Sequence, residues 1–167
     1  MLEPKIFGFV GFSGSGKTTL ATAVTAVLSR RGFKVAALKD AHHQVDMDTP
    51  GKDTWRYREQ GASQVILRTP ERWVLQTTTP CPSSIDELLS HFDSPDIILV
   101  EGFKNEGNFP KIELLREACR DERAPLYLEH RDIVAVATDR EDLPASLTQL
   151  NVNDPEAVAD FIVKFPR

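Results

Sequence analysis

The amino-acid sequence predicts an α/β fold, a mostly parallel sheet flanked by helices, with an additional β-hairpin region. Short apolar runs of strand length alternate with stretches whose apolar residues recur at helical spacing. The first two runs, residues 6–10 and 35–38, are joined by one such helical stretch. A strand, a helix and a strand with short connections are typical of a parallel sheet built from right-handed crossovers.

Length, composition and charge narrow the class of protein. The chain has 167 residues, 41% hydrophobic and 27% charged, so we expect one globular domain over residues 1–167. A net charge of −5 argues against a nucleic-acid-binding face. Cys81 and Cys119 form no C-x-x-C pair, which favours two reduced structural thiols. The apolar N-terminal stretch is too short for a signal or membrane segment, so we expect a cytoplasmic protein.

The elements of the first half follow from apolar spacing and from glycine. Residues 18–31 form a helix that stops at Gly32, because one stripe collects Leu20, Val24, Val27 and Leu28. Residues 39–50 are polar and predict a loop, and residues 53–60 predict a short helix closed by Gly61. Two β-prone runs at residues 65–67 and 73–75, with Pro70 between them, predict a hairpin or two separate strands.

The second half adds two helices and two buried strands. Ser84 and Glu87 have capping-box spacing ahead of a helical stripe made of Ile85, Leu88, Leu89 and Phe92. Residues 97–100 and 133–137 are apolar throughout and predict central strands. Asp154 and Pro155 begin the last helix, whose apolar face consists of Val158, Phe161, Ile162 and Phe165.

Residues 11–18, G-F-S-G-S-G-K-T, match the phosphate-loop pattern G-x-x-x-x-G-K-[ST] and lie between a strand and a helix. Such a loop turns backbone N–H groups and a helix N-terminus towards phosphate, which predicts a P-loop NTPase with a di- or triphosphate ligand. Lys17 would contact the outer phosphates and Thr18 would be a ligand of Mg²⁺. The predicted nucleotide-binding residues here are Gly11, Ser13, Gly14, Ser15, Gly16, Lys17, Thr18 and Thr19.

A nucleoside-triphosphate site also needs a carboxylate at the end of a buried strand. Glu101 follows the run 97–100, so we predict it as a metal ligand with Thr18 and as a catalytic residue with Lys17. The alternative is a rim carboxylate without metal. Asp96, at the other end of the run, is expected to be a turn or cap residue. The polar loop offers further magnesium candidates, and spacing does not choose among Asp40, Asp46 and Asp48.

Two other polar features have competing interpretations. His42 and His43 are adjacent in a loop, without the helical spacing of zinc ligands, so we expect exposed or substrate-facing side chains. Asp139 follows a buried strand, and its carboxylate could accept from guanine N1–H and N2–H₂, although the sequence has no N-K-x-D signature. A turn cap is the equal alternative for Asp139.

Four blocks carry a resemblance to a known family. They are G-F-S-G-S-G-K-T-T-L from residue 11, H-H-Q-V-D-M-D-T-P-G-K-D-T-W-R from 42, I-I-L-V-E-G-F-K from 97 and P-K-I-E-L-L-R from 110. In this order they resemble the molybdopterin-guanine dinucleotide biosynthesis adaptor proteins, MobB. The resemblance implies GTP and Mg²⁺ binding, weak GTPase activity and a homodimer. It also implies a partner, the molybdenum cofactor guanylyltransferase MobA, which attaches GMP to molybdopterin; the adaptor does not itself form that bond.

The resemblance also implies roles for further residues. Asp48, Thr49 and Gly51 would lie near the nucleotide or partner, and Lys111 and Arg116 would face phosphate or pterin. Residues 117–131 depart from the family pattern. Other molybdenum-cofactor proteins are further partners that the resemblance suggests.

Two other functions fit a compact phosphate-loop protein. One is a small-molecule kinase, with Arg116, Arg120 and Arg123 as lid residues over the γ-phosphate. The other is a ligase like dethiobiotin synthetase, in which the histidine-rich block would be unexpected. Preference for GTP over ATP would favour the adaptor.

The β-prone run at residues 73–79 predicts where two copies associate. With Pro70 beside it, the run is expected to be an exposed edge, and natural proteins cover such edges or use them to associate. We therefore expect a homodimer with residues 73–79 in or near the interface. The alternative for the location is that Trp73 and Leu75 point into the chain's own core.

Overall fold

The computed structural model describes residues 3–41, 45, 47–120 and 123–166. The chain forms two compact units. Unit 1 consists of Met1–Asp40 and Leu88–Arg167, and unit 2 is the continuous stretch Ala41–Glu87.

The strands, in chain order, are β1 (Lys5–Val10), β2 (Val35–Lys39), β3 (Gln64–Arg68), β4 (Trp73–Thr77), β5 (Ile97–Glu101), β6 (Lys111–Leu115), β7 (Ile133–Thr138) and β8 (Gln149–Asn151). The helices are α1 (Lys17–Arg30), α2 (Asp53–Glu59), α3 (Ile85–Ser90) and α4 (Pro155–Lys164). Two short 3₁₀ helices cover Glu117–Cys119 and Leu126–Leu128. Among the described residues, none of the helices is long and apolar enough to cross a membrane.

Unit 1 contains a six-stranded sheet in the order β2-β5-β1-β6-β7-β8. Every neighbouring pair is parallel, as the apolar runs predict. The carboxyl ends of the strands therefore lie along one edge of the sheet. In parallel α/β sheets this edge is where ligands bind, because the loops and helix N-termini that follow the strands are gathered there.

Helices α1 and α4 pack together against the sheet with the apolar residues that the spacing predicts. Leu20, Val24, Val27 and Leu28 of α1 are buried, as are Val158 and Ile162 of α4. Phe7 of β1 meets the rings of Phe161 and Phe165 edge to face, with centroids 6.1 Å and 5.2 Å away. The α4 cap is also confirmed, since the N–H of Ala157 donates to the Asp154 carboxylate at 3.0 Å.

Strand β6 was not predicted, because two of its five residues are charged although they are fully buried. The ammonium of Lys111 donates to the carbonyl of Glu106 and to the carboxylate of Asp132. The Glu113 carboxylate accepts the N–H groups of Leu126 and Tyr127 at 2.8 Å and 2.9 Å. Burial raises the pKa of Glu113, and these two hydrogen bonds oppose the rise.

The structure shortens one predicted helix. The N–H of Glu87 donates to the Ser84 hydroxyl at 3.2 Å, which confirms the cap. Helix α3 then ends at Ser90, so the prediction that Phe92 belongs to its apolar stripe is wrong. Strand β8 was also missed, because three residues are too few to show a periodicity.

Unit 2 contains α2 and an antiparallel hairpin of β3 and β4, which settles the open choice in favour of a hairpin. Gln64 lies opposite Thr77, Ile66 opposite Leu75 and Arg68 opposite Trp73, so these six side chains share one face of the hairpin. Ile66, Trp73 and Leu75 are 64%, 64% and 36% exposed. The alternative that Trp73 and Leu75 point into the chain's own core is therefore wrong.

Candidate functional site

The phosphate loop joins β1 to α1 at the carboxyl edge of the sheet in unit 1. Gly14 and Gly16 have φ of 81° and 88°, a left-handed conformation that favours glycine. Gly16 is the N-cap of α1, and its carbonyl accepts the N–H of Leu20 at 3.0 Å. A Cβ at Gly16 would also lie 3.2 Å from Nε of Arg116. The backbone conformation thus favours glycine at Gly16, which the motif specifies, and also at Gly14, where the motif allows any residue.

The Lys17 side chain folds back over this loop. Its ammonium donates to the carbonyl oxygens of Gly11 and Phe12, both at 2.9 Å. Burial lowers the pKa of Lys17, Glu101 opposes this effect, and Lys39 adds to it. The cation is therefore held at the loop by carbonyl oxygens, with a carboxylate nearby.

A hydroxyl, a carboxylate and a second ammonium meet beside the start of α1. The Thr18 hydroxyl donates to Oε1 of Glu101 at 2.6 Å. The Lys39 ammonium donates to Oγ1 of Thr18 at 2.9 Å and lies 3.1 Å from Oε1 of Glu101. Glu101 is at the end of β5 and its side chain is 13% exposed, so its place is fixed by the sheet.

These residues fit a magnesium ion. Hydroxyl and carboxylate oxygens are the hard ligands that Mg²⁺ takes in proteins, and here two of them are in hydrogen-bond contact, near enough to share one ion. The positively charged ammonium of Lys39 already contacts the Thr18–Glu101 pair. Thr18 and Glu101 are the residues that would hold the metal.

Arg116 and Asp139 lie on the other side of the phosphate loop, at the ends of β6 and β7. The Arg116 guanidinium donates to Oδ1 of Asn153 at 3.1 Å and lies 3.8 Å from Oδ2 of Asp139. Oδ1 of Asp139 accepts the N–H of Glu117 at 2.7 Å. Asp139 therefore acts as a cap for the 3₁₀ helix Glu117–Cys119, and its role in guanine recognition stays a prediction.

The segment after β6 contacts the phosphate loop in ways that sequence analysis missed. The Cys119 thiol donates to the carbonyl of Gly14 at 3.3 Å. The Arg123 guanidinium lies 3.9 Å from the centroid of the Phe12 ring.

The polar residues of the phosphate loop differ in exposure. Ser15 is 3% exposed, and its hydroxyl has no hydrogen-bond partner among the described residues. Ser13, Gly14, Thr18 and Thr19 are exposed.

Three further aspartates were candidates in the sequence analysis: Asp96, Asp40 and Asp46. Asp96 precedes β5, at the end opposite Glu101, and its carboxylate accepts the N–H of Lys34 at 2.7 Å; its role as a turn or cap residue stays a prediction. Asp40 follows β2, and its N–H donates to the carbonyl of Glu101 at 2.9 Å. Asp46, like His42 and His43, lies outside the described residues.

Asp48, Thr49 and Gly51 belong to unit 2. Oδ1 of Asp48 accepts the Thr54 hydroxyl at 2.7 Å, and both residues line a cavity of about 160 Å³ whose other walls include Val65 and Gln76. The assignment of Asp48, Thr49 and Gly51 to nucleotide binding stays a prediction.

The structure overturns the role proposed for Lys111. Its side chain is 1% exposed, at the start of β6, paired in register with Gly8 of β1. The phosphate loop follows the carboxyl end of β1, whereas Lys111 is at the amino end of β6 and its ammonium is bonded to Glu106 and Asp132. The expectation that Lys111 faces phosphate or pterin is therefore wrong.

Lys39 was missed as a site residue by the sequence analysis. Its position at the end of β2 was the available signal, because strand ends of a parallel sheet share one edge.

Comparison with known proteins gives a consistent result. Residues 6–139 match the family model described as molybdopterin guanine dinucleotide synthesis protein B, MobB. A molybdopterin-guanine dinucleotide biosynthesis adapter protein of Haemophilus influenzae is 43% identical over 94% of this chain and 86% of its own length. The adapter protein of Escherichia coli is 38% identical over 96% and 92%. A crystal structure of molybdopterin-guanine biosynthesis protein B shares the fold, with a TM-score of 0.70, 23% identity and 95% and 97% coverage.

Proposed function

Since this chain belongs to the MobB family and is an adapter in molybdopterin guanine dinucleotide biosynthesis, we propose that it performs this role as a Mg²⁺-dependent GTP-binding protein. The contact between Thr18 and Glu101 carries the proposal. It brings a hydroxyl from the phosphate loop and a strand-end carboxylate to one point, as binding of a metal-bound nucleoside triphosphate requires. The proposal includes weak hydrolysis of GTP and places the protein in the cytoplasm.

Different residues of the phosphate loop would contact different parts of the nucleotide. The glycines allow the backbone to curl around the phosphates, and the N-terminus of α1 adds a favourable dipole. Lys17 would leave the carbonyls of Gly11 and Phe12 and bind the outer phosphates as a point charge. The metal would neutralise phosphate charge while held by Thr18 and Glu101.

Guanine selectivity is assigned to Asp139. A carboxylate is a double acceptor and matches the two adjacent donors of guanine, whereas adenine presents a different edge. The test compares GTP and ATP binding by calorimetry in the wild type and in Asp139→Asn. The amide keeps an acceptor for the N–H of Glu117, so the cap survives. We expect the variant to lose preference for GTP; an unchanged preference would remove Asp139 from this role.

The proposed partner is the molybdenum cofactor guanylyltransferase, MobA, with molybdopterin as a further ligand and other molybdenum-cofactor proteins as further partners. An adapter acts by binding other components of its pathway, and nucleotide binding offers a way to control that association. The test measures binding of purified guanylyltransferase to this protein with and without a non-hydrolysable GTP analogue. We expect tighter association with the analogue in the wild type but not in Lys17→Ala. Absence of association in both states would contradict the partner.

We also assign a homodimer to the hairpin of unit 2. Ile66, Trp73 and Leu75 expose adjoining apolar side chains on one face of the two-stranded ribbon, and exposed apolar patches often mark contacts with another protein surface. A second copy of the chain would bring the same face, as twofold symmetry requires.

Membership of the MobB family favours the adapter function over the small-molecule kinase and the dethiobiotin-synthetase-like ligase.

A further inference from the structure

Lys39 occupies the place between Thr18 and Glu101 because of the sheet, not because of a chance side-chain orientation. Lys39 is the last residue of β2 and pairs in register with Glu101, the last residue of β5. Residues that pair in a sheet point to the same face, so both side chains leave the sheet together at its carboxyl edge. Thr18, in the first turn of α1, completes the cluster.

The side chains of Glu101 and Lys39 differ in how freely they can move. The Glu101 side chain is 13% exposed and fixed, whereas that of Lys39 is 54% exposed. A lysine has a long flexible stem that lets its ammonium move several ångströms while the backbone stays in the strand. Lys39 is therefore able to leave the carboxylate without a change in the sheet.

We propose that Lys39 is the resident cation of the Thr18–Glu101 pair in the nucleotide-free protein, and that it moves to the terminal phosphate when a Mg²⁺-bound triphosphate enters. The inference rests on the proposed function. The ammonium and a divalent cation would both need the same two oxygens, and their charges repel. Lys39 would therefore leave the pair, and the terminal phosphate of the entering nucleotide would supply a new anion for its ammonium.

This exchange makes Lys39 a positioning residue that distinguishes triphosphate from diphosphate. With GTP the ammonium gains a charge-assisted hydrogen bond to the third phosphate. With GDP that phosphate is missing, and the ammonium keeps competing with the metal for Glu101. Lys39 should consequently strengthen the binding of GTP and weaken the binding of Mg²⁺ in the GDP complex.

The test uses Lys39→Gln in the full-length protein and measures two quantities by calorimetry. The first is the affinity for a non-hydrolysable GTP analogue and for GDP, each with saturating Mg²⁺. We expect about a tenfold loss for the analogue, the size of one charge-assisted hydrogen bond, and less than about a twofold change for GDP. The second is the Mg²⁺ midpoint at fixed GDP, which should move to lower Mg²⁺.

Two further variants make the result specific. Lys34→Gln removes the same charge just before β2, where the lysine is 58% exposed and contacts Asp93, and it should change neither quantity. Lys39→Arg keeps the charge and should restore part of the preference for the GTP analogue. Thermal melting of each variant without nucleotide checks that the fold is retained.

The outcomes separate this inference from the proposed function. Equal losses for GTP analogue and GDP, no loss for either, or a Mg²⁺ midpoint that does not fall would overturn the role of Lys39 while wild-type nucleotide binding stands. A wild-type protein that binds no guanine nucleotide would overturn the proposed function, and the role of Lys39 with it.

Discussion

Replacement of Lys17 by alanine should remove most nucleotide binding and leave the fold intact. The side chain is half-buried, and its two hydrogen bonds go to carbonyls of its own loop, where water can replace it. We therefore expect the nucleotide-free variant to unfold within about 1 kcal/mol of the wild type. The phosphate contact is different, because a hydrogen bond from a charged group contributes about 1.5–3 kcal/mol, or roughly 10- to 150-fold in affinity.

The same estimate gives a shift in melting temperature. GTP at 100 times its dissociation constant stabilises the wild type by about 2.7 kcal/mol, which corresponds to about 5–11 °C for a chain of this size. At that concentration, a variant with 10- to 150-fold weaker binding should gain between about 0.3 and 1.4 kcal/mol. Its melting temperature should therefore rise by roughly 1–6 °C.

The assay is differential scanning fluorimetry with Mg²⁺ and a GTP series, supported by calorimetry. Lys164→Ala is a matched control, because it removes the same charge from an exposed position on α4 where the lysine pairs with Asp160. The control should retain the full nucleotide shift. A Lys17→Ala protein that also retains the full shift would refute the assignment of residues 11–18 as a phosphate loop.

Three other results are expected. Glu101→Gln should still bind GTP but need more Mg²⁺, since an amide keeps the shape and loses the charge that a hard cation prefers; identical magnesium titrations would make Glu101 structural. Ile66→Lys should shift the protein from dimer to monomer in light scattering, whereas a wild type that scatters as one chain would exclude the dimer. The raised pKa of Glu113 means that its ionisation opposes folding as pH rises from its ordinary value of 4.5 through the raised one. The stability of Glu113→Gln relative to the wild type, measured by urea unfolding, should thus increase as the pH rises above about 4.5; a difference that is the same at every pH would contradict this.

The local pattern of apolar residues was enough to predict most of the helices and strands. Helices α1 and α4, strands β1, β2, β5 and β7 and the hairpin were all found in this way. The phosphate loop was predictable because its glycines are dictated by backbone conformation. Strand β6 was not, since burial of Lys111 and Glu113 depends on Asp132 and on the backbone near residue 126, which are distant in sequence.

In the candidate site, too, some residues were predictable from local sequence and others depend on contacts between distant parts of the chain. Thr18 and Glu101 each follow a recognisable local signal, so their contact was expected. The placement of Lys39 depends on the order β2-β5-β1, which no local pattern contains. For Asp139 the sequence offered a cap or a guanine contact equally, and the hydrogen bond from the N–H of Glu117 depends on a residue that is distant in sequence.

The position of β5 between β2 and β1 has a consequence for synthesis of the chain. The first 40 residues contain β1, α1 and β2, but the two strands do not touch, because a gap of about 10 Å must be filled by β5. The ribosome must therefore synthesise residues 41–96 before β5, the strand that fills the gap, appears. Because the cost of closing a flexible loop grows only with the logarithm of its length, cutting this segment fourfold would save about 1.2 kcal/mol. Residues 1–40 therefore cannot complete this part of the sheet until β5, which ends in Glu101, has been synthesised.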